Sequence, residues 1–294
     1  MGFSIEHRFV RANDLRFHVA TCGTGPKLAL LLHGFPESWF SWRHQMTALA
    51  AVGYRVWAPD LRGYGASDKP EGVASYALDT LVSDVGGLLD VARADEPTSE
   101  VVLVGHDWGG AIAWASAIAR VRPLDRLIVM NCPHPKRFVT GLLSPAQLRR
   151  SWYMFFFQLP YVPERVLAAQ GALRIGKAFR GMAIDKSRFP DHVLDEYRRN
   201  ALQPGALTGM LGYYRAMFRG NPLQKVRSFG PPIEVPTLLV WGEEDTALGK
   251  ELTTRMDGLV RDLQVEYLPG VSHWVQQEAP ERVNEVVLGW LAGS

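Results

Sequence analysis

Short continuous apolar runs recur along the chain, and segments with apolar residues at helical spacing separate them. Lys27 to Leu32, Arg55 to Pro59, Val101 to Val104, Leu124 to Met130, Thr237 to Trp241 and Gln264 to Leu268 read as strands. Buried parallel strands carry such runs because helices cover both faces of their sheet. Leu15 to Thr21 instead alternates, which predicts an early antiparallel strand. Leu78, Leu81, Val82, Val85, Leu88 and Leu89 share one helix face, and Val283 to Leu291 predicts a closing amphipathic helix. Strands alternating with helices predict an α/β fold with a mostly parallel, doubly wound sheet.

The alternation stops between Pro135 and Pro222. That stretch reads as helical, with turns at Pro160, Pro163, Pro190 and Pro204-Gly205. Its charge also differs: Lys136 to Gly220 holds fourteen Lys/Arg against five Asp/Glu, a net of +9, and the remainder carries −7. The expected organisation is a core of residues 1–134 and 222–294 interrupted by a helical cap, 135–221. The basic cap surface reads as a solvated face, with an acidic partner or an anionic membrane surface as the other reading.

Over all 294 residues the formal charge is only +2, so nothing global points to nucleic acid. With 47% hydrophobic residues the chain can bury a sizeable core. Cys22 and Cys132 form neither a disulfide framework nor a metal or redox spacing. The first residues have no signal-peptide core and no apolar run reaches bilayer length, so the expected location is cytoplasmic and no integral membrane segment is expected.

Chemistry concentrates after the Val101 to Val104 run, at Gly105-His106-Asp107-Trp108-Gly109-Gly110, which leads into a helical Ala111 to Ile118. A strand, a sharp turn of small residues around one functional side chain, then a helix is the nucleophile elbow of α/β-hydrolases. Here the elbow residue is Asp107, and no G-x-S-x-G occurs. A Ser alkoxide attacking a saturated carbon would leave an ether. An Asp leaves an ester, which water can clear. The nucleophile type therefore points to epoxides or alkyl halides.

Such a nucleophile needs a base and a group to orient it. Of eight histidines, His273 lies in a loop between the last strand and the last helix, where it can reach the elbow. His33 and His106 read as structural. Asp245, closing Trp241-Gly242-Glu243-Glu244-Asp245, is the expected acid, with Glu244 as the neighbouring alternative. The other place for an acid, after Leu124 to Met130, holds Asn131, which cannot serve. Phe35, in His33-Gly34-Phe35-Pro36, and Trp108 are expected to give backbone N–H groups to an oxyanion hole.

His33 to Trp39, Asp60 to Ser67, the elbow, Asn131 to Pro135, Trp241 to Asp245 and the His273 loop together resemble the α/β-hydrolase-fold epoxide hydrolases, over essentially the whole chain. The resemblance implies two cap tyrosines as ring-opening acids. One matches Tyr153, four residues before Phe157-Gln158. The other matches Tyr214 by its following Arg215, with Tyr213 as the neighbouring alternative. A phenol stays protonated at neutral pH and can donate to an epoxide oxygen. Trp152, Phe156 and Phe157 are candidate walls of the substrate pocket, or packing between cap and core.

The implied function is an epoxide hydrolase giving a vicinal diol through an Asp107 alkyl ester. It acts on a small epoxide with water, without cofactor or metal, as monomer or homodimer. A haloalkane or haloacid dehalogenase shares the Asp and His, and a hydrolase-fold binding protein without catalysis is the third reading.

Overall fold

A computed structural model describes residues 3–219 and 230–293. The seven expected strands and an unexpected one before them, Ile5–Ala12, gather into one eight-stranded sheet. They are β1 (Ile5–Ala12), β2 (Leu15–Cys22), β3 (Lys27–Leu32), β4 (Tyr54–Pro59), β5 (Glu100–His106), β6 (Arg126–Met130), β7 (Thr237–Gly242) and β8 (Leu263–Leu268). Their order is β1-β2-β4-β3-β5-β6-β7-β8. From β4 to β8 all pairings are parallel, while β1–β2 and β2–β4 are antiparallel. This is the mostly parallel doubly wound sheet expected from the pattern, in the α/β-hydrolase fold that the resemblance implies.

Burial explains the apolar runs. Leu28 through Leu32 are inaccessible, as are Val102 and Leu103 beside them. Two apolar clusters form, one on each face of the sheet. α1 (Arg43–Ala51) and the closing helix α11 (Pro280–Ala292) cover one face. α2 (Leu78–Asp95) and α3 (Trp108–Ala119) cover the other. α10 (Val275–Glu278) is a single turn leading into α11.

Between β6 and β7 the described residues add no strand to the sheet, only an isolated bridge from Ile233 to Val260; they form α4 (Pro135–Gly141), α5 (Pro145–Arg150), α6 (Trp152–Phe156), α7 (Val162–Met182), α8 (Asp191–Ala201) and α9 (Ala206–Met217), plus a short 3-10 turn. α7 is broken at Ala169–Ala172, where Gln170, Gly171 and Ala172 take positive φ. The expected end of the insertion, at 221, lies outside the described residues. This block stands over the carboxyl ends of the parallel strands, where α/β sheets carry their sites.

Candidate active site

Asp107 sits between β5 and α3 with φ 49° and ψ −119°. A side chain held there costs about 1–3 kcal/mol, which the surrounding structure must offset. The turn projects the carboxylate out of the strand and places it at the amino end of α3, whose peptide dipoles favour negative charge. Gly34 is required by proximity: a Cβ there would lie 2.4 Å from the Asp107 Cβ.

The two carboxylate oxygens face different partners. Oδ1 accepts from the Phe35 backbone N–H at 2.7 Å, and the Trp108 backbone N–H also donates to the carboxylate. Oδ2 lies 3.7 Å from His273 Nε2. The other ring nitrogen of His273, Nδ1, is 2.7 Å from Asp245 Oδ2. Asp245 is buried and also accepts from Asn131 Nδ2 at 2.8 Å and from the Ala247 and Leu248 backbone N–H groups at 2.7 and 2.9 Å. Glu244 is exposed.

These partners set the charges. Burial opposes protonation of His273, but the carboxylates of Asp245 and Asp107 outweigh it and raise its pKa to about 9. Burial also opposes ionisation of Asp245, yet the His273 charge and the hydrogen bonds it accepts hold its pKa below the ordinary value. Asp107 goes the other way. Its burial exceeds the help from His273, His106 and the two N–H groups, and its pKa is raised.

Tyr153 on α6 and Tyr214 on α9 approach from above, with ring centroids 5.9 Å apart. Burial, then the charge of Asp107, pushes both phenols up, so both stay protonated. Tyr214 also hydrogen-bonds the Trp108 side chain. The Tyr213 hydroxyl is committed elsewhere, donating to the Arg62 carbonyl at 2.7 Å.

Asp107, Trp108, Tyr153 and Tyr214 line one cavity of about 220 Å³. The rest of its wall is mainly apolar, including Leu78, Phe138, Val139, Met154, Met217 and Leu248. The expected aromatic wall is corrected here. Trp152 lies on the outer surface, 64% exposed, because it falls on the opposite side of α6 from Met154. Phe156 and Phe157 do not line the cavity; Phe157 packs behind it, edge-on to Phe35 and Tyr214.

Sequence reasoning missed the polar scaffold under the site. Asn131, set aside as unable to serve as the acid, instead holds Asp245. His106 spans from Glu37 Oε2, at 2.8 Å, to the carbonyl of His273, at 2.9 Å. Glu37 is fully buried and also accepts from the Gly34 N–H, Gln276 and Gln277; despite burial, the His106 pair holds its pKa at about 2. Glu278 joins the helical block to the His273 loop. Its Oε1 accepts the Ile184 and Asp185 N–H groups at 2.8 Å each, and its Oε2 accepts from the Ser272 N–H and hydroxyl. The only signal for these residues was an acid beside a motif, and a sequence does not show which acids are buried.

The site thus joins a carboxylate held by two backbone N–H donors, an acid-backed imidazole beside its Oδ2, and two phenols lining the same apolar cavity. A family model described as alpha/beta hydrolase family matches residues 29–286. The chain belongs to the α/β-hydrolases, in their epoxide hydrolase family. It is 39% identical to epoxide hydrolase 3 of Xenopus tropicalis, over 97% of this chain and 78% of that one. Against a Bacillus subtilis protein described as an AB hydrolase superfamily protein it is 40% identical, over 98% of both. Among solved structures, epoxide hydrolase A of Mycobacterium thermoresistibile superposes with a TM-score of 0.84 at 29% identity, covering 99% of each chain. A Bacillus megaterium epoxide hydrolase solved with an inhibitor gives 0.86 at 29% identity, covering 97% of this chain and all of that one. The protein is therefore a hydrolytic enzyme. Among the described residues no helix is long and apolar enough to cross a membrane.

Proposed function

We propose that this epoxide hydrolase family member opens apolar epoxides to vicinal diols through an ester on Asp107, with the helical block 135–221 acting as a cap. The observation that carries this reading is the division of labour at Asp107: the Phe35 N–H holds Oδ1, the Trp108 N–H is a second donor to the carboxylate, and Oδ2 lies toward His273.

Oδ2 attacks one epoxide carbon from behind. The C–O bond breaks, and Tyr153 and Tyr214 hold the leaving oxygen, one of them delivering its proton. Asp107 is now a neutral ester with its carbonyl oxygen, Oδ1, between the Phe35 and Trp108 N–H groups. Loss of the Asp107 charge removes one of the influences that raised the His273 pKa. The imidazole thereby becomes easier to deprotonate when it is needed as a base. It takes a proton from water, and the hydroxide adds to the ester carbon. Negative charge collects on Oδ1, where each N–H donor is worth about 3 kcal/mol. Collapse expels the diol alkoxide, which is reprotonated, and Asp107 retains the oxygen from water. Asp245 orients the imidazole and stabilises its charged form.

A dehalogenase would share the attack and the hydrolysis but release halide, which needs no proton. The Tyr153–Tyr214 pair over Asp107 favours the epoxide, and the Trp108 indole is engaged with Tyr214. Incubation with styrene oxide, a long aliphatic epoxide and 1-bromobutane tests the choice. Diol from at least one epoxide without bromide release is expected; bromide release without diol would overturn the reading.

A further inference from the structure

Leu148, Trp152, Phe155 and Leu159 recur at helical spacing in the sequence, and although α5, α6 and the turn after α6 carry them separately, all four are exposed. They are 44%, 64%, 48% and 47% exposed, and Tyr161 beyond them is 75% exposed. The inward side of α6 is already used, since Tyr153 and Met154 line the cavity. A row of large apolar side chains left uncovered on the outer side marks a surface that meets something else.

The charges around it say what. From Arg137 to Pro163 the chain has no Asp or Glu. Many cap arginines elsewhere are paired, such as Arg180 with Asp191, Arg198 with Asp195 and Arg215 with Glu164. Arg149 and Arg165, flanking the row, are exposed and have no carboxylate partner among the described residues. A second copy of this face would set these arginines against their own kind in a two-fold contact. An anionic bilayer surface accepts both features at once: Trp and Tyr settle at headgroup depth, and arginines meet lipid phosphates. We infer that the outer face of α5 and α6, with Tyr161, docks this enzyme on anionic membrane surfaces, with the cavity on the inward side of the docked helix. An apolar substrate dissolved in lipid would then be concentrated beside its site.

The test is cosedimentation with vesicles of phosphatidylcholine alone and with about a third phosphatidylglycerol, which reads binding without requiring activity. Binding to the anionic vesicles is expected, with about fivefold loss for each of Arg149→Glu and Arg165→Glu. Trp152→Ser with Phe155→Ser should weaken it about tenfold or more. Circular dichroism must show the two arginine variants and the double variant folded. If one is not, quenching by brominated anionic lipid decides instead, because Trp152 is the one tryptophan among the exposed large side chains. Quenching in the parent and its loss in Trp152→Phe would support the docking. No binding to anionic vesicles, equal binding to neutral ones, or binding unaltered in folded variants would overturn it. So would a concentration-dependent dimer in sedimentation velocity that the Trp152 and Phe155 substitutions dissolve.

Discussion

The carboxyl edge of the sheet and the helical block above it both supply the site, but they place their groups differently. At the sheet edge position comes from the backbone. Asp107 is held by a strained turn, its carboxylate by two main-chain N–H groups, and Asp245 by the end of β7 and two further N–H groups. In the helical block position comes from which side of a helix a residue occupies. A one-residue step on α6 separates exposed Trp152 from cavity-lining Tyr153. The edge is thus built to hold charge in place through two half-reactions, while the block shapes the cavity and supplies protons. The two regions are tied by Glu278, whose carboxylate grips the Ile184–Asp185 backbone on one side and Ser272, next to His273, on the other.

If the sheet edge carries hydrolysis and the block carries ring opening, substitutions should separate the two. The largest effect is expected for His273→Gln. Turnover should fall about 10⁴-fold while ring opening survives, leaving an adduct of the substrate's mass on the intact protein. An adduct-free variant with Asp107 still accessible would remove His273 from the base role. Next come Tyr153→Phe and Tyr214→Phe. Each should slow alkylation measured by stopped flow, and together by about 10²–10⁴-fold. Alkylation unchanged in the double variant would assign the proton to another group.

Smaller, and aimed at the tie itself, is Glu278→Gln. Its amide presents a donor where the native carboxylate meets only donors, so the His273 loop should loosen. We expect ester hydrolysis to slow about tenfold with alkylation nearly unchanged, since small misplacements of a catalytic group are costly. Equal slowing of both steps would mean a general loss of structure. Glu278→Asp should recover part of the rate only if the carboxylate itself matters.

The smallest effect is one of pH. His273 must be neutral to act as base, so hydrolysis should fall as pH drops through its pKa in the alkyl-enzyme. That pKa should lie below the value of about 9 in the free enzyme, because esterification removes the Asp107 charge. Single-turnover hydrolysis rates across pH measure it, and a midpoint at or above 9 would contradict the charge argument.

The same contrast governs what the sequence could show. Strands β3, β5, β6 and β7 were legible because burial on both faces makes them continuously apolar. β1 was not, because as an edge strand it keeps Glu6, Arg8 and Arg11 among its residues and is largely exposed. Asp107, His273 and Asp245 were legible because strand ends fix their order along the chain. Wall residues on α6 were not, because a run of aromatics leaves the facing side undetermined until the helix is seated. Asn131, Glu37 and Glu278 act through burial and hydrogen bonds reaching far along the chain, and neither leaves a local pattern.

The central claim is that Asp107 attacks carbon and that water then attacks Asp107. A single turnover with enzyme in excess in ¹⁸O-water tests it directly. The account predicts a largely unlabelled first diol and a labelled peptide containing Asp107, with label passing into diol on later turnovers. A fully labelled first diol and an unlabelled Asp107 would mean that water attacks the epoxide itself, and that Asp107 serves only as a base.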